Sequence, residues 1–407
     1  MKNKILNNYK NYLSIYISLL FLMSICFLYL KHDVGNDSTI SEWLINYSGG
    51  FTKRGIIGQI SIYIARIFDS ELRDIILYLQ VLIIGTYFTF IFIFLKKTYI
   101  ERVYLLCIFS PIFLLYPVYE IEVLARKEVF IYILFLAYLS ILIYKPRFAN
   151  ISKLLTFTLS VLIWEPIIFF LPMWVFIDFA SRDLNKKNNL FPFTKDLVFY
   201  LPGLIICLIF ILNPLSESEH VKMASTLKNE FNEVCYMSCS LLLNKSSLIQ
   251  QFKGNFHAYS IENISRYMWI IIIGFLPLFI LLKHSYFTKK KINSFQINNK
   301  KNISNFFYII LSPVIILFLM GYDWGRWVNI SYTLSLLTFI YLYKKDIIKI
   351  NFKTLKKNKL NLLSLRNFSL IFLIYCFTWS PKTVITGDIG SFPLYRAIYK
   401  IYKTFLI

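Results

Sequence analysis

The chain has 407 residues, of which 57% are hydrophobic, 18% aromatic and only 16% charged, with a mean hydropathy of +0.58 and a net charge of +22. Soluble globular proteins carry about 25% charged residues, so a soluble enzyme, a disordered chain and a disulfide scaffold are excluded. The composition points to an all-α polytopic membrane protein, one membrane-embedded domain over 1–407, with about nine full spans plus one re-entrant hairpin, roughly 10–11 apolar helices in all.

In chain order, apolar runs predict spans at 13–30, 75–95, 103–119, 129–144, 197–213, 267–282, 305–321, 329–343 and 367–380. A helix is the natural form for such runs, because in lipid it satisfies its own backbone groups. The first reads as an uncleaved anchor, since its apolar region is long and no small-residue cleavage pattern follows Phe27-Leu28-Tyr29. Between the fourth and fifth spans, 153–178 is interrupted by Trp164-Glu165-Pro166, so it is either one crossing or a short hairpin.

Charge chooses between them. Cytoplasmic loops are enriched in Lys and Arg. With Lys2, Lys4 and Lys10 inside and 153–178 a hairpin, most of the 44 basic residues lie inside and most of the 22 acids outside. The whole excess then faces the anionic inner leaflet, and no nucleic-acid partner is needed. A single crossing would reverse the bias. This gives a cytoplasmic N-terminus and an outer C-terminus; the abundance of Phe, Ile, Tyr, Lys and Asn suggests an AT-rich bacterial gene, so the expected location is a bacterial inner (cytoplasmic) membrane with the C-terminus periplasmic.

The spans are nearly free of ionisable side chains, unlike those of ion pumps. Chemistry therefore falls to the outer segments. The first, 31–74, carries His32, Asp33, Asp37, Glu42 and Trp43, then Gly49, Gly50, Lys53, Arg54, Gly55 and Gly58. A Gly-rich turn with cations at a helix N-terminus suits a phosphate; the plain alternative is a juxtamembrane helix touching lipid phosphates. In that amphipathic helix Ile56, Ile57, Ile60, Tyr63, Ile64, Ile67 and Phe68 share a face at helical spacing. The second segment packs Glu120, Glu122, Arg126, Lys127 and Glu128 into nine residues. There Arg126 could point into the bundle mouth, and the rest read as a solvated turn.

The third, Gly321 to Trp327, sets Asp323 and Arg326 beside Trp324 and Trp327. Indole faces stack on sugars while the charges bind hydroxyls or phosphate; the alternative is an interfacial aromatic belt. The fourth, the large loop 213–266, is long enough for two short helices and could cover an acceptor. The tail 381–407 contains an amphipathic stretch suited to a leaflet surface. Cys235 and Cys239 could pair in an oxidising compartment, closing a tiny loop. No metal or cofactor is indicated, although a divalent cation is possible.

Carboxylates, arginines and indoles above a greasy bundle suit sugar transfer from a lipid carrier. The arrangement resembles the bacterial multi-spanning glycosyltransferases of surface-polysaccharide assembly: O-antigen and capsule repeat-unit polymerases and the C-type membrane glycosyltransferases. The resemblance rests on the outer loop from Asp33 to Gly58, the hairpin with Glu165 at its tip and the loop 213–266. It implies a polymerase acting on polyprenyl-diphosphate-linked repeat units in lipopolysaccharide or capsule biosynthesis, with other assembly proteins as partners. A polyprenyl-phosphate-sugar-dependent enzyme that modifies O-antigen is the alternative, and a lipid-linked oligosaccharide flippase is the alternative from another class. The expected acid/base groups are Asp37, Asp323, Asp33 and Glu165. Arg54, Arg126, Arg326 and Lys53 are expected at phosphate, and Trp324, Trp327 and Trp43 at sugar.

Overall fold

A computed structural model of the chain describes residues 2–34, 38–181, 196–243, 248–288, 303–356, 364–387 and 390–391. Asp37 and the amphipathic stretch of the tail beyond 391 lie outside the described residues. The fold is mostly helical, and its chain divides into two compact units. The first is Met1–Lys97, Ile121–Val175 and Asn188–Ser247; the second is Thr98–Glu120, Phe176–Lys187 and Leu248–Ile407.

Among the described residues, four helices are long and apolar enough to cross a membrane: Asn8–Lys31, Leu72–Leu95, Ile261–Lys283 and Ile303–Met320. A fifth crossing is possible if the pair Val198–Leu212 and Glu217–Phe231, bent by 102°, is one broken span. The expectation of nine spans is therefore corrected. The run 103–119 splits into Arg102–Ile108 and Tyr116–Tyr119, with Pro111 in the gap and Pro117 in the first turn of the second helix, since proline lacks the N–H that continues a helix. Glu128–Tyr144 has 17 residues, about 25 Å of helix against a hydrocarbon core of about 30 Å. Leu365–Phe377 has only 13. The run 329–343 lies within Trp324–Lys344, which is buried from Trp324 to Leu342. Apolar runs arise wherever a helix is covered by protein, so they overcount lipid crossings.

In the first unit, Lys2–Lys31 packs on Leu72–Leu95, with Phe21 edge-on to Phe88 at 6.5 Å. Leu72–Leu95 packs in turn on Glu128–Tyr144, where the rings of Tyr87 and Tyr132 lie 5.6 Å apart. Ala149–Ile163 joins this layer and also holds Leu201–Leu212. Ala149–Ile163 ends at Trp164, whose backbone is extended (φ −155°, ψ 99°), and the chain resumes as the 3-10 turn Glu165–Phe170. Pro166 enforces that break. It sets Glu165 at a largely buried helix end instead of within a continuous helix. Ser38–Leu44 packs against both Gly55–Phe68 and Met237–Ser240 in this unit.

Gly55–Phe68 differs from its expected face. Ile57, Gly58, Ser61, Ile62 and Ala65 are buried, whereas Ile60, Tyr63, Ile67 and Phe68 are exposed. Small residues let this 14-residue helix lie close on the protein and leave the large apolar side chains facing outward.

In the second unit, Ile261–Lys283 packs against Arg102–Ile108, Ile303–Leu311 and Trp324–Lys344. Polar groups on the buried helix are used internally. Asn329 donates to the carbonyls of Ile112 and Phe113 at 2.9 and 3.0 Å, and Tyr332 donates to Cys107 O at 2.9 Å. Ser285–Phe287 and Ile348–Ile350 form an antiparallel pair, with Tyr286 opposite Lys349. Trp379–Ser380 pairs antiparallel with Gly390–Ser391.

Candidate functional site

The densest group of charges lies in the first unit, built on the start of Gly55–Phe68. A side chain could not be fitted at Gly58, where a Cβ would stand 2.1 Å from Ile45 O and 2.6 Å from Trp43 O. The helix N-terminus therefore rests directly on the backbone of 43–45. Arg54 turns the chain into the helix in a left-handed conformation (φ 64°), which costs a non-glycine residue about 1 kcal/mol. That turn aims its guanidinium at Glu165. Nε donates to Oε2 and Nη2 to Oε1, both at 2.8 Å, a bidentate fork. Lys53 Nζ stands 3.9 Å from the same carboxylate.

The turn before Glu128–Tyr144 supplies the other half. Ala125 is also left-handed (φ 53°), and Trp43 Nε1 donates to its carbonyl at 2.9 Å. This fixes the two residues that follow. Arg126 pairs with the buried carboxylate of Glu42, and Lys127, fully buried, donates from Nζ to Arg54 O at 2.5 Å. Glu128 is buried beside them in sequence. Four cations and three carboxylates are thus collected where desolvating them is expensive and adds little stability. Such charge groups with shifted lysines are characteristic of functional sites, which makes this cluster the candidate.

The glycines do something other than cradle an anion. A Cβ on Gly49 would stand 2.0 Å from Glu219 O. Glu219 itself belongs to the capping box that starts Glu217–Phe231, reaching the Ser216 backbone at 2.8 Å. Gly49 and Gly58 thus serve close backbone approach, Gly50 and Gly55 make room for the side chains of Glu219 and Tyr47, and Arg54 is engaged by Glu165.

Burial pushes the Lys127 ammonium down to about 8; Glu42 and Glu165 oppose this, and Arg54 adds to it. Lys53 is also held below the usual lysine range by burial, against the pull of Glu165. Unfolded, Lys127 would titrate near 10.4. Below pH 8 both states hold the proton, and the folded state bears the full cost of burying it. Between about 8 and 10.4 the unfolded state binds more protons, so stability contributed by this group rises with pH. The melting temperature of detergent-solubilised protein, minus that of Lys127→Met, is expected to increase from pH 8 to pH 10. A difference that stays flat over that range would contradict the depressed lysine.

The second unit holds the other indole and charge group. Asp323 pairs with Arg326 three residues on, and the Arg326 guanidinium lies 5.2 Å from the Trp327 ring centre. Trp324 is packed among Phe318, Tyr259 and Tyr267, and its Nε1 donates to Phe318 O at 2.8 Å. Segment 382–385 closes over this turn. Gly325 N donates to Thr383 O at 3.0 Å, Tyr116 OH to Thr383 Oγ1 at 3.3 Å, and Lys382 Nζ lies 3.1 Å from Glu120.

The expected site residues therefore separate. Arg54, Arg126, Lys53 and Glu165 come together in the first unit; Asp323, Arg326, Trp324 and Trp327 come together in the second. Trp43 is a core side chain, 1% exposed and packed on Phe130. Asp33 is exposed and bonded to His32 Nδ1 at 2.9 Å, while His32 Nε2 lies 2.8 Å from Asp74. Cys235 and Cys239 are free thiols, and Cys235 Sγ lies 3.6 Å from His220 Nε2. Sequence reasoning passed over Glu42 and Lys127 as site residues. Glu42 meets Arg126 across 84 residues, a distance no local pattern reveals. For Lys127 a signal existed: a run of three charges immediately before an apolar helix. Comparison with known protein families, with curated proteins and with solved structures finds no match to this chain.

Proposed function

We propose that this protein is a membrane glycosyltransferase that joins polyprenyl-diphosphate-linked oligosaccharide repeat units into a surface polysaccharide. The observation that carries this reading is the buried cluster of Arg54, Glu165, Arg126, Glu42, Lys53 and Lys127. Arg54 and Arg126 exchange their carboxylate partners for the diphosphate of the incoming donor. The freed Glu165 or Glu42 accepts the proton of the acceptor hydroxyl as its oxygen attacks the anomeric carbon. The bond from that carbon to the diphosphate oxygen breaks, and the guanidinium groups and Lys53 stabilise the charge on the leaving diphosphate. Net transfer consumes one acceptor O–H and releases the polyprenyl diphosphate. In the second unit, Asp323, Arg326 and Trp327 form a separate candidate for saccharide contact. Under this proposal the cluster faces the periplasmic side of the inner membrane.

The test is the length ladder of surface polysaccharide in a strain lacking the gene. A single repeat unit on the lipid A core supports the polymerase. Full-length chains with altered serology would instead assign a single-sugar modifier. Complete absence of product at the outer face would assign a flippase.

A further inference from the structure

The second unit holds an apolar groove of about 490 Å³ that the proposed chemistry does not use. Two of its walls are the candidate crossings Ile261–Lys283 and Ile303–Met320, and the third is Trp324–Lys344. Ile272, Leu276, Tyr308 and Ile315 form an exposed rim, and Leu278, Phe307 and Val328 a buried floor. The groove thus opens on the face that the crossing helices turn to the bilayer. It extends along helix 271–282 for eleven residue steps, about 16 Å, the shape of a hydrocarbon chain.

Two observations narrow the occupant. Ser331 and Ser335 share one helix face on the groove lining. The Ser335 hydroxyl is 1% exposed and has no hydrogen-bond partner among the described residues. A buried hydroxyl without a partner is unfavourable, so an oxygen on the occupant belongs there. The other observation is charge. The groove ends at Leu282 and Ser304, beside the strand pair Ser285–Phe287 and Ile348–Ile350. Lys283, Lys345 and Lys349 are exposed at that end, with Tyr286 opposite Lys349, and Asp346 is the exposed acid among them.

We propose that this groove binds an anionic glycerophospholipid: one acyl chain lies along Phe275, Leu278 and Phe307, an ester oxygen accepts from Ser335, and the phosphate meets Lys283, Lys345 and Lys349. A polyprenyl chain offers no oxygen along its length for Ser335, which argues for the glycerolipid. The inference stands apart from the glycosyltransferase reading, because it uses neither charge cluster.

The experiment is native mass spectrometry of the full-length protein, purified in detergent and stripped of lipid. Phosphatidylglycerol, phosphatidylcholine with the same chains and a polyprenyl phosphate are each added. A cation near an anionic lipid contributes about fivefold, so phosphatidylglycerol is expected to bind roughly tenfold or more tightly than phosphatidylcholine. Replacing Lys283, Lys345 and Lys349 together with glutamine should bring the two to equality. Ser335→Phe, which fills the groove, should remove both. Equal binding of the two phospholipids by the wild type, undiminished binding by Ser335→Phe, or displacement of phosphatidylglycerol by polyprenyl phosphate at equal concentration would each overturn the proposal. Should Ser335→Phe not fold, a diazirine-bearing phosphatidylglycerol answers with the wild type. Labelling of 275–278 and 307 supports the site, and labelling confined to other helices overturns it.

Discussion

Arg54→Ala is expected to destabilise the protein by about 2–3 kcal/mol and to abolish polymer in a complementation assay. Removing one partner of a buried pair costs about 3–5 kcal/mol, because the other charge is left without compensation. Here the two side chains retain about a fifth of their exposure, 21% for Arg54 and 16% for Glu165, so solvent screens part of that cost. Glu165→Gln should cost less, since the amide still accepts one hydrogen bond from the fork. The double variant Arg54→Ala/Glu165→Gln should recover part of the stability and none of the polymer. The measurements are thermal unfolding in detergent and the length ladder of surface polysaccharide. If the double variant is as unstable as the sum of the singles, the two residues are uncoupled and the ion pair contributes nothing.

Gly58→Ala is expected to have the other large effect. The added methyl would meet Ile45 O at 2.1 Å and Trp43 O at 2.6 Å, both backbone atoms that no rotamer change can move. Overpacking costs about 1–3 kcal/mol, from which about 1 kcal/mol of helix propensity is recovered. The larger consequence is displacement. To make room, the start of Gly55–Phe68 must lift from 43–45, and Arg54, one residue before it, loses its alignment on Glu165. Gly254→Ala is the matched control. It lies in Leu248–Asn255, and a Cβ there meets nothing within 4 Å. Thermal unfolding should show a loss for Gly58→Ala and no loss for Gly254→Ala. Equal effects would mean that the close approach at Gly58 is relaxed without cost.

The long helices were legible because Asn8–Lys31, Leu72–Leu95, Ile261–Lys283 and Ile303–Met320 carry strongly apolar stretches of span length. The interruption at Trp164 was legible too, since Pro166 lacks the N–H that would bond back to the preceding turn and biases Glu165 away from helix. The remaining expected spans misled because hydropathy measures distance from water, and Glu128–Tyr144 and Trp324–Lys344 obtain that from neighbouring protein. The charge cluster was half visible. Arg54 and Lys53 announced themselves beside glycines, and Glu165 as a lone acid in an apolar run. Their joining depended on Lys127 reaching Arg54 O across 73 residues and on Arg126 reaching Glu42. Those contacts are set by tertiary packing, which leaves no periodic trace in the chain.

The helix Trp324–Lys344 has a consequence for how the protein is made. It carries Arg326, Asn329, Ser331, Thr333, Ser335 and Thr338 along its length, and translocating machinery that sorts segments by greasiness would not retain it unaided. Its place must be prepared by segments synthesised before it, whose carbonyls at Ile112, Phe113 and Cys107 accept from Asn329 and Tyr332. Biogenesis is then ordered from the N-terminus, and a chain severed ahead of 324 and supplied in two pieces would have to assemble the second piece onto the first.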